Sequence, residues 1–544
     1  MFFVPSCRLP RTLKILLPCV AGCLAIAPQT LAQHASHRLA PIPLEMLERP
    51  VALRDGIGRA HDATAASSRE AQALYDQGLT YLHSFVWIEA ARSFNAALAL
   101  DPQLAMARAG LSTVYVELNR PSEARKAIDT ARAAAASLTD HDRRHVEARA
   151  LQMAAEEAPA DAAKLDAYRR ALDSALGAFP KDAEFVLLRG MAESPDPAER
   201  GQGSTAASAR YYERALVITP GYFAAHHFLV HASENTGQQQ QALAHSAAYA
   251  KQVPDVPHAR HMLGHNLRRS GRAFEAIAEF DAADRLHRAY VKRERIPAEY
   301  DWHFEHNLGL LAASLQYTGQ MTRAETVMQA AFALPTGLLV QAYNKREWPM
   351  FLRSRDRLQE AEAAAQMLRA NPHPVIQATG HIESAHVMLA ANRWADAGTA
   401  FNTALKLLRV TPGGAVAANA LLALQGELSM RTAERAKGRA TLEEVAKRVR
   451  AAPGPDAWSQ ALFTLEALAR GARRVGDWEL AGRMARQMIE HDPAYAGGHY
   501  ALGLVAEHDG DAVTARTQFG LALKAWSKAD SDLPELIDIR KKLR

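Results

Sequence analysis

The stretch YLHSFVWIEA, from Tyr81 to Ala90, is answered by YVELNRPSEA, from Tyr115 to Ala124. The offset is 34 residues, and it also carries Phe94 onto Ile128 and Ala97 onto Ala131. Self-similarity at a fixed period of this length marks a repeat architecture. Each unit is one supersecondary motif that can bury its apolar face only by stacking on its neighbours. Within the first unit, Gly78, Tyr81, Ala90, Phe94, Ala97 and Pro102 punctuate two helical stretches. The small Ala lets the two helices approach, and Pro ends the second one.

The offset recurs along the chain. Gly237 and Ala242 lead into Gly271, Ala276, Phe280 and Ala283, and Gly476 and Ala481 lead into Gly510 and Ala515, with Pro493 between. Ala324 and Ala397 anchor two looser units, while 139–190 and 346–372 read as helical but degenerate. These residues resemble the tetratricopeptide repeat (TPR) family, two antiparallel helices per 34 residues. The resemblance implies an all-α, right-handed superhelical solenoid of about ten to thirteen repeats. It also implies a concave groove lined by the first helix of each pair, binding a protein or peptide partner. The expected organisation is a signal peptide over 1–32, a lead-in over 33–68, repeats over 69–190 and a loop over 191–208. Central repeats over 209–345, further repeats over 346–530 and a polar capping segment over 531–544 complete it.

Composition agrees with a helical chain. Of 544 residues 48% are hydrophobic and only 7% aromatic, and Ala, Leu, Arg, Glu and Gln, the strong helix formers, dominate. The 64 basic and 59 acidic side chains give a net charge of +5. That balance gives no ground for a nucleic-acid partner, and none is expected. The first 14 residues hold Arg8, Arg11 and Lys14 and no acid; an apolar run follows from Ile15 to Ala27, then Thr30-Leu-Ala32 before Gln33. This is the layout of a secretory signal, too short for a bilayer span. The expected location is therefore the periplasm, with lipid anchoring through Cys23 in a lipobox-like Val20-Ala-Gly-Cys23 as the alternative. Removing the three basic residues leaves about +2. Cys7, Cys19 and Cys23 all fall in the signal, so the mature chain lacks a thiol nucleophile or thiolate cluster. No later segment is apolar enough to span a membrane.

Phosphate-binding loops, dinucleotide fingerprints, nucleophile elbows and haem-attachment motifs are all absent from the sequence, so no standard enzyme class is supported. Histidine carries the remaining chemistry. Ten of the 22 lie between residues 226 and 306, where even scatter would place about three. His227 and His231 are four apart; His261 and His265 are four apart, one repeat later. Residues at i and i+4 share a helix face. Glu234 extends the first stripe and His258 the second. His306 holds the matching column of the next unit, before Gly319, with His303 one turn earlier. Farther on, His386 lies six residues before the turn position Asn392.

Three successive inner helices, about 8–10 Å apart, thus offer His227, His231, Glu234, His258, His261, His265, His303 and His306 to one stretch of groove. Neutral imidazole suits zinc, copper, iron or nickel, and such ligands take a second-shell acceptor, for which Asp255 or Asp301 is placed. Two other readings of the stripe remain: a groove that grips an acidic partner, and plain solvated helix faces. His226, His245 and His287 fall off the stripe. Arg268, Arg269 and the run 291–295 read as solvated helix ends or as an anion-attracting rim, and Tyr300 and Trp302 as packing or as walls of the site.

Overall fold

The computed structural model describes residues 41–452 and 455–544. Every regular element among them is helical, and no strand occurs. The helices form antiparallel pairs stacked in chain order, the all-α repeat construction expected from the 34-residue period. The readings that fall on 1–32, a secretory signal and a lipid-anchored Cys23, lie outside the described residues. No helix among those described is long and apolar enough to cross a membrane.

Two compact units divide the described chain: residues 41–348 with 446–544, and residues 349–445. The smaller unit stacks Leu358–Arg369, Pro374–Ala390, Trp394–Val410 and Ala418–Ser429. The larger begins with the pair Arg69–His83 and Trp87–Leu100. Its centre is built from Phe223–Asn235 with Gln239–Gln252, Pro257–Arg269 with Ala273–Glu294, and Trp302–Tyr317 with Met321–Ala333.

The turn within each pair has a fixed chemistry. The backbone enters the left-handed region at Phe85 and, 34 residues later, at Asn119; it does so again at Gly237, Gly271, Gly319, Gly476 and Gly510. The next amide then reaches back to the last helical turn: Val86 to the Tyr81 carbonyl at 3.0 Å, Arg272 to Leu267 at 2.9 Å, Gln320 to Leu315 at 2.9 Å. These bonds satisfy carbonyls that a helix end would leave orphaned. The crossing of a pair needs a residue without a side chain. A Cβ on Gly264 would lie 2.7 Å from the Phe280 ring, and one on Gly78 2.5 Å from Phe94. Both glycines precede their Phe by sixteen residues, so one register sets both contacts.

The lead-in bridges the first pair and the central repeats of the larger unit. On one side it is held by the first pair. Asn95 donates to the Leu47 carbonyl at 3.0 Å, Arg92 to that of Pro50 at 2.6 Å, and the Ala60 amide to Thr80 Oγ1 at 2.9 Å. On the other side it is held by a turn and a helix end some two hundred residues away. The Asp255 amide donates to the Gly56 carbonyl at 3.0 Å, and Arg54 to Glu294 at 2.7 Å. Arg92 completes the tie, 2.7 Å from Glu89 and 2.8 Å from Glu294, all three buried. Charge-assisted bonds of this kind are strong where water is excluded.

Candidate metal centre

The first helix of each central pair carries the histidine stripe. Phe223–Asn235 holds His227, His231 and Glu234; Pro257–Arg269 holds His258, His261 and His265; Trp302–Tyr317 holds His303 and His306. The three helices bring all seven histidines into one array. His227, His258, His261, His265 and His303 are buried, with His227 fully enclosed, and His231 and His306 are half-buried. The sequence suggests a solvated groove, but the side chains are closed over. Phe85 packs on His227, His231 and His258 at ring separations of 4.7, 6.0 and 5.5 Å. Trp302 lies 3.4 Å from the His303 ring and 6.1 Å from that of His306, so it walls the array.

Two groups of three emerge. The first is His227, His231 and His258, whose ring nitrogens converge: His227 Nε2 is 3.0 Å from His258 Nε2 and 3.1 Å from His231 Nε2. The orientation of His227 is fixed from behind, because its Nδ1–H donates to the His83 carbonyl at 2.6 Å. The Nε2 lone pair is thus aimed inward. The second group is His261, His265 and His306. Here His261 Nδ1–H donates to Asn307 Oδ1 at 3.0 Å, and the Asn307 amide is itself set by donating to the Phe280 carbonyl at 2.9 Å. His261 Nε2 is left with no hydrogen-bond partner, and neither nitrogen of His265 has one. His303 stands 4.3 Å from His258, ring to ring, and its Nε2 is also unpartnered. Glu234 does not join a group: its Oε1 is 3.9 Å from His265 Nδ1.

Burial, which disfavours the imidazolium, holds His227, His258, His261, His265 and His303 well below the ordinary histidine value, and neighbouring rings add to the effect. Burial lowers His231 to about 4 and raises Glu234 to about 7. These six histidines are therefore neutral imidazoles with lone pairs to offer. Neutral imidazole is the form that ligates a metal, and unpartnered buried nitrogens are otherwise costly. These histidine groups can hold a metal.

Second-shell partners differ from those the sequence suggests. Asp301 accepts from His287 Nδ1 at 2.6 Å, not from a stripe histidine, and Asp255 packs its carboxylate against Gly56. The carbonyl of His83 and the amide of Asn307 take their place. His83 itself is buried, with its ring 3.0 Å from Glu184. Off-stripe His287 is also buried, 6.4 Å from His303, because the long helix Ala273–Glu294 turns it inward. Arg268 is no solvated helix end: it is 1% exposed, with its guanidinium 5.2 Å from the Trp458 ring. His386 lies in the smaller unit, 3.5 Å from Glu427.

No protein-family model and no curated protein matches the chain. Among solved structures, it is similar to the human IFIT1 dimer with PPP-AAAA. The TM-score is 0.34 at 11% identity, over 82% of this chain and 88% of that one. It is likewise similar to a monomeric IFIT1 mutant with Gppp-AAAA, at TM-score 0.34 and 12% identity, over 88% of this chain and 93% of that one. One expectation is corrected here. The charge balance suggested that nucleic acid is excluded as a partner, yet the structures similar to this chain hold triphosphate- or cap-bearing RNA. Net charge is a property of the whole chain and does not describe a local binding surface, so the exclusion is dropped. At this TM-score the likeness carries no ligand across to this chain.

Proposed function

We propose that this chain is a metal-binding helical-repeat protein that holds transition-metal ions in its central repeats. One ion sits among His227, His231 and His258, and a second among His261, His265 and His306. The reading rests above all on the first group, where three imidazole nitrogens converge at 3.0 and 3.1 Å around a His227 ring oriented by a backbone carbonyl. Metal–imidazole bonds of 2.0–2.1 Å in a tetrahedral shell place ligand nitrogens about 3.3 Å apart. The observed spacings lie close to that. The carbonyl behind His227 and the amide behind His261 are the kind of second-shell acceptor that ligating histidines use.

Three protein donors leave a fourth position open to water or a small ligand. A cleft bounded by Glu305, His306, Phe332, Lys345 and Trp348 adjoins the second group through His306. All-nitrogen shells suit zinc, copper, nickel or iron. The basic start, apolar run and cleavage-like Thr30-Leu-Ala32 support export of the chain.

The deciding measurement is metal analysis of the untagged chain, purified without chelator. Stoichiometric metal is expected, and replacing His261 and His265 together by Ala should lower it while helicity stays intact. If no metal is found, and added zinc or copper leaves the melting temperature unchanged, the reading is wrong.

A further inference from the structure

Outside the histidine array, a second cluster mixes carboxylate and imidazole. Asp62 belongs to the lead-in, His141 and His145 to the helix Asp140–Glu156, and Asp182 caps the helix Ala183–Met191. Their ligand atoms lie within 4.8 Å of one another. His141 Nε2 is 2.9 Å from Asp182 Oδ2 and 3.2 Å from Asp62 Oδ1, and His145 Nε2 is 3.5 Å from Asp62 Oδ2. We propose that Asp62, His141, His145 and Asp182 form a separate divalent-cation site that staples the lead-in to the early repeats.

Three observations carry this. First, Asp62 is 5% exposed and His145 6% exposed, and Asp62 Oδ2 and His145 Nε2 have no hydrogen-bond partner. Buried polar atoms are rarely left so, and here two face each other. Second, His141 has a second shell in place: its Nδ1 donates to Asp142 Oδ1 at 3.1 Å, while Asp142 Oδ2 accepts from the Ala65 amide at 3.2 Å. A carboxylate behind the ring is the arrangement that orients a ligating histidine. Third, the donors converge on one spot from three separate elements, the lead-in, the helix Asp140–Glu156 and the cap of Ala183–Met191. The oxygen and nitrogen set favours zinc, manganese or ferrous iron over the softer choices open to the all-histidine array. Four protein donors make a closed site, the structural kind. His145 is locked for the purpose by stacking on Phe185, at 3.7 Å and 15°.

The lead-in supplies Asp62 from a stretch without helix, so the ion would act on that stretch. The test uses the full untagged chain, stripped with chelator and titrated with Zn²⁺ and, separately, Mn²⁺. The Asp62→Asn/Asp182→Asn variant should bind one equivalent fewer than the parent. The His261→Ala/His265→Ala variant should keep that equivalent. Saturating zinc, at about a hundred times the dissociation constant, should slow proteolysis within 48–68 about a hundredfold in the parent and not in the carboxamide variant. His145→Gln, which keeps about the volume and the polarity of the ring, provides a second variant with the same expected loss if the first misfolds. Equal metal content in variants and parent, or cleavage of 48–68 indifferent to zinc and manganese, would overturn the proposal.

Discussion

The Nδ1 of His227 lies 2.6 Å from the carbonyl oxygen of His83, 144 residues earlier in the chain. The bond sets the tautomer of a ring that is wholly buried and leaves Nε2 as the atom facing His231 and His258. His226, its neighbour in sequence, points elsewhere and meets His245, Nδ1 to Nδ1, at 3.0 Å. His227→Ala should therefore lose the ion of the first group and destabilise the metal-free chain by about 1–3 kcal/mol, since the His83 carbonyl is left buried without its donor. His226→Ala should leave metal content unchanged. Metal analysis and urea unfolding of both variants read the difference, and equal metal loss would place the site off this face.

His265 makes the opposite prediction about stability. It is 2% exposed, and neither ring nitrogen has a hydrogen-bond partner. A polar ring in that state costs more than an apolar group of similar volume. His265→Leu should raise the stability of the chelator-treated protein by about 1 kcal/mol and remove metal from the second group. A variant that is both less stable and still metalled would show that the ring is packed for structure alone. Sites that trade stability for a ligand are the usual home of such unsatisfied groups.

The period and its register were legible in the sequence because they depend on residues close in the chain. Gly237, Gly271 and Gly319 mark turns, and counting back from them places His227, His261 and His306 on the inner helices. The enclosure was not legible. It depends on Phe85, in a turn where glycine or asparagine is expected, and on Trp302 at the start of its helix. His141 and His145 do show the same four-residue spacing as the stripe. They sit in a stretch whose repeat is too degenerate to give a register, and their partners Asp62 and Asp182 come from other elements. Spacing finds the half of a site that lies on one helix; the half supplied by the lead-in needs the fold.

Acid should act on the metal-free protein in a defined window. The unfolded chain binds protons at histidines near pH 6.5. In the folded chain burial holds six of the seven array histidines below that value, with His231 at about 4. Between those limits the unfolded state carries more protons, so stability falls as pH drops from about 6.5 toward 4. Glu234, raised to about 7, opposes this: its contribution is full below about pH 4.3 and is lost as pH rises through 7. One carboxyl against six imidazoles leaves the histidine slope in control. Each fully titrating histidine contributes about 1.4 kcal/mol per pH unit at most. Urea midpoints at pH 7.5 and 5.5 should differ sharply, and equal midpoints would mean that the rings are solvated. Metal should leave over the same range, as protons compete for the ligand nitrogens.

Arg92 ties the lead-in to the central repeats. It bonds Glu89, Glu294 and the Pro50 carbonyl from one guanidinium. Arg92→Met leaves the buried Glu89 carboxylate without its cation, while Glu294 keeps Arg54 and Arg293, and should destabilise the chain by about 3–5 kcal/mol. Arg92→Lys should recover little, because a single ammonium cannot span the fork of partners. Thermal melts of the two variants test this, and a Lys variant as stable as the parent would reduce the network to simple charge.

Phe85 connects strain to access. Its φ is 57°, in a region where a bulky side chain costs about 1–2 kcal/mol, at the position that glycine holds in the central repeats. What it provides in return is a ring 4.9 Å from Trp87, 4.7 Å from His227 and 5.5 Å from His258. Phe85→Gly relieves the backbone but removes a buried aromatic, a loss of about 3–5 kcal/mol, so the variant should be less stable on balance by about 2–3 kcal/mol. Its consequence for the site is separate. With the cover gone, water reaches the ring nitrogens of the first group, and a bound ion should exchange with free chelator faster than in the parent, while the exchange rate of the second group stays as it was. Stopped-flow transfer to a chromophoric chelator resolves the two phases. If both phases are unchanged, Phe85 packs the repeat and does not guard the histidines.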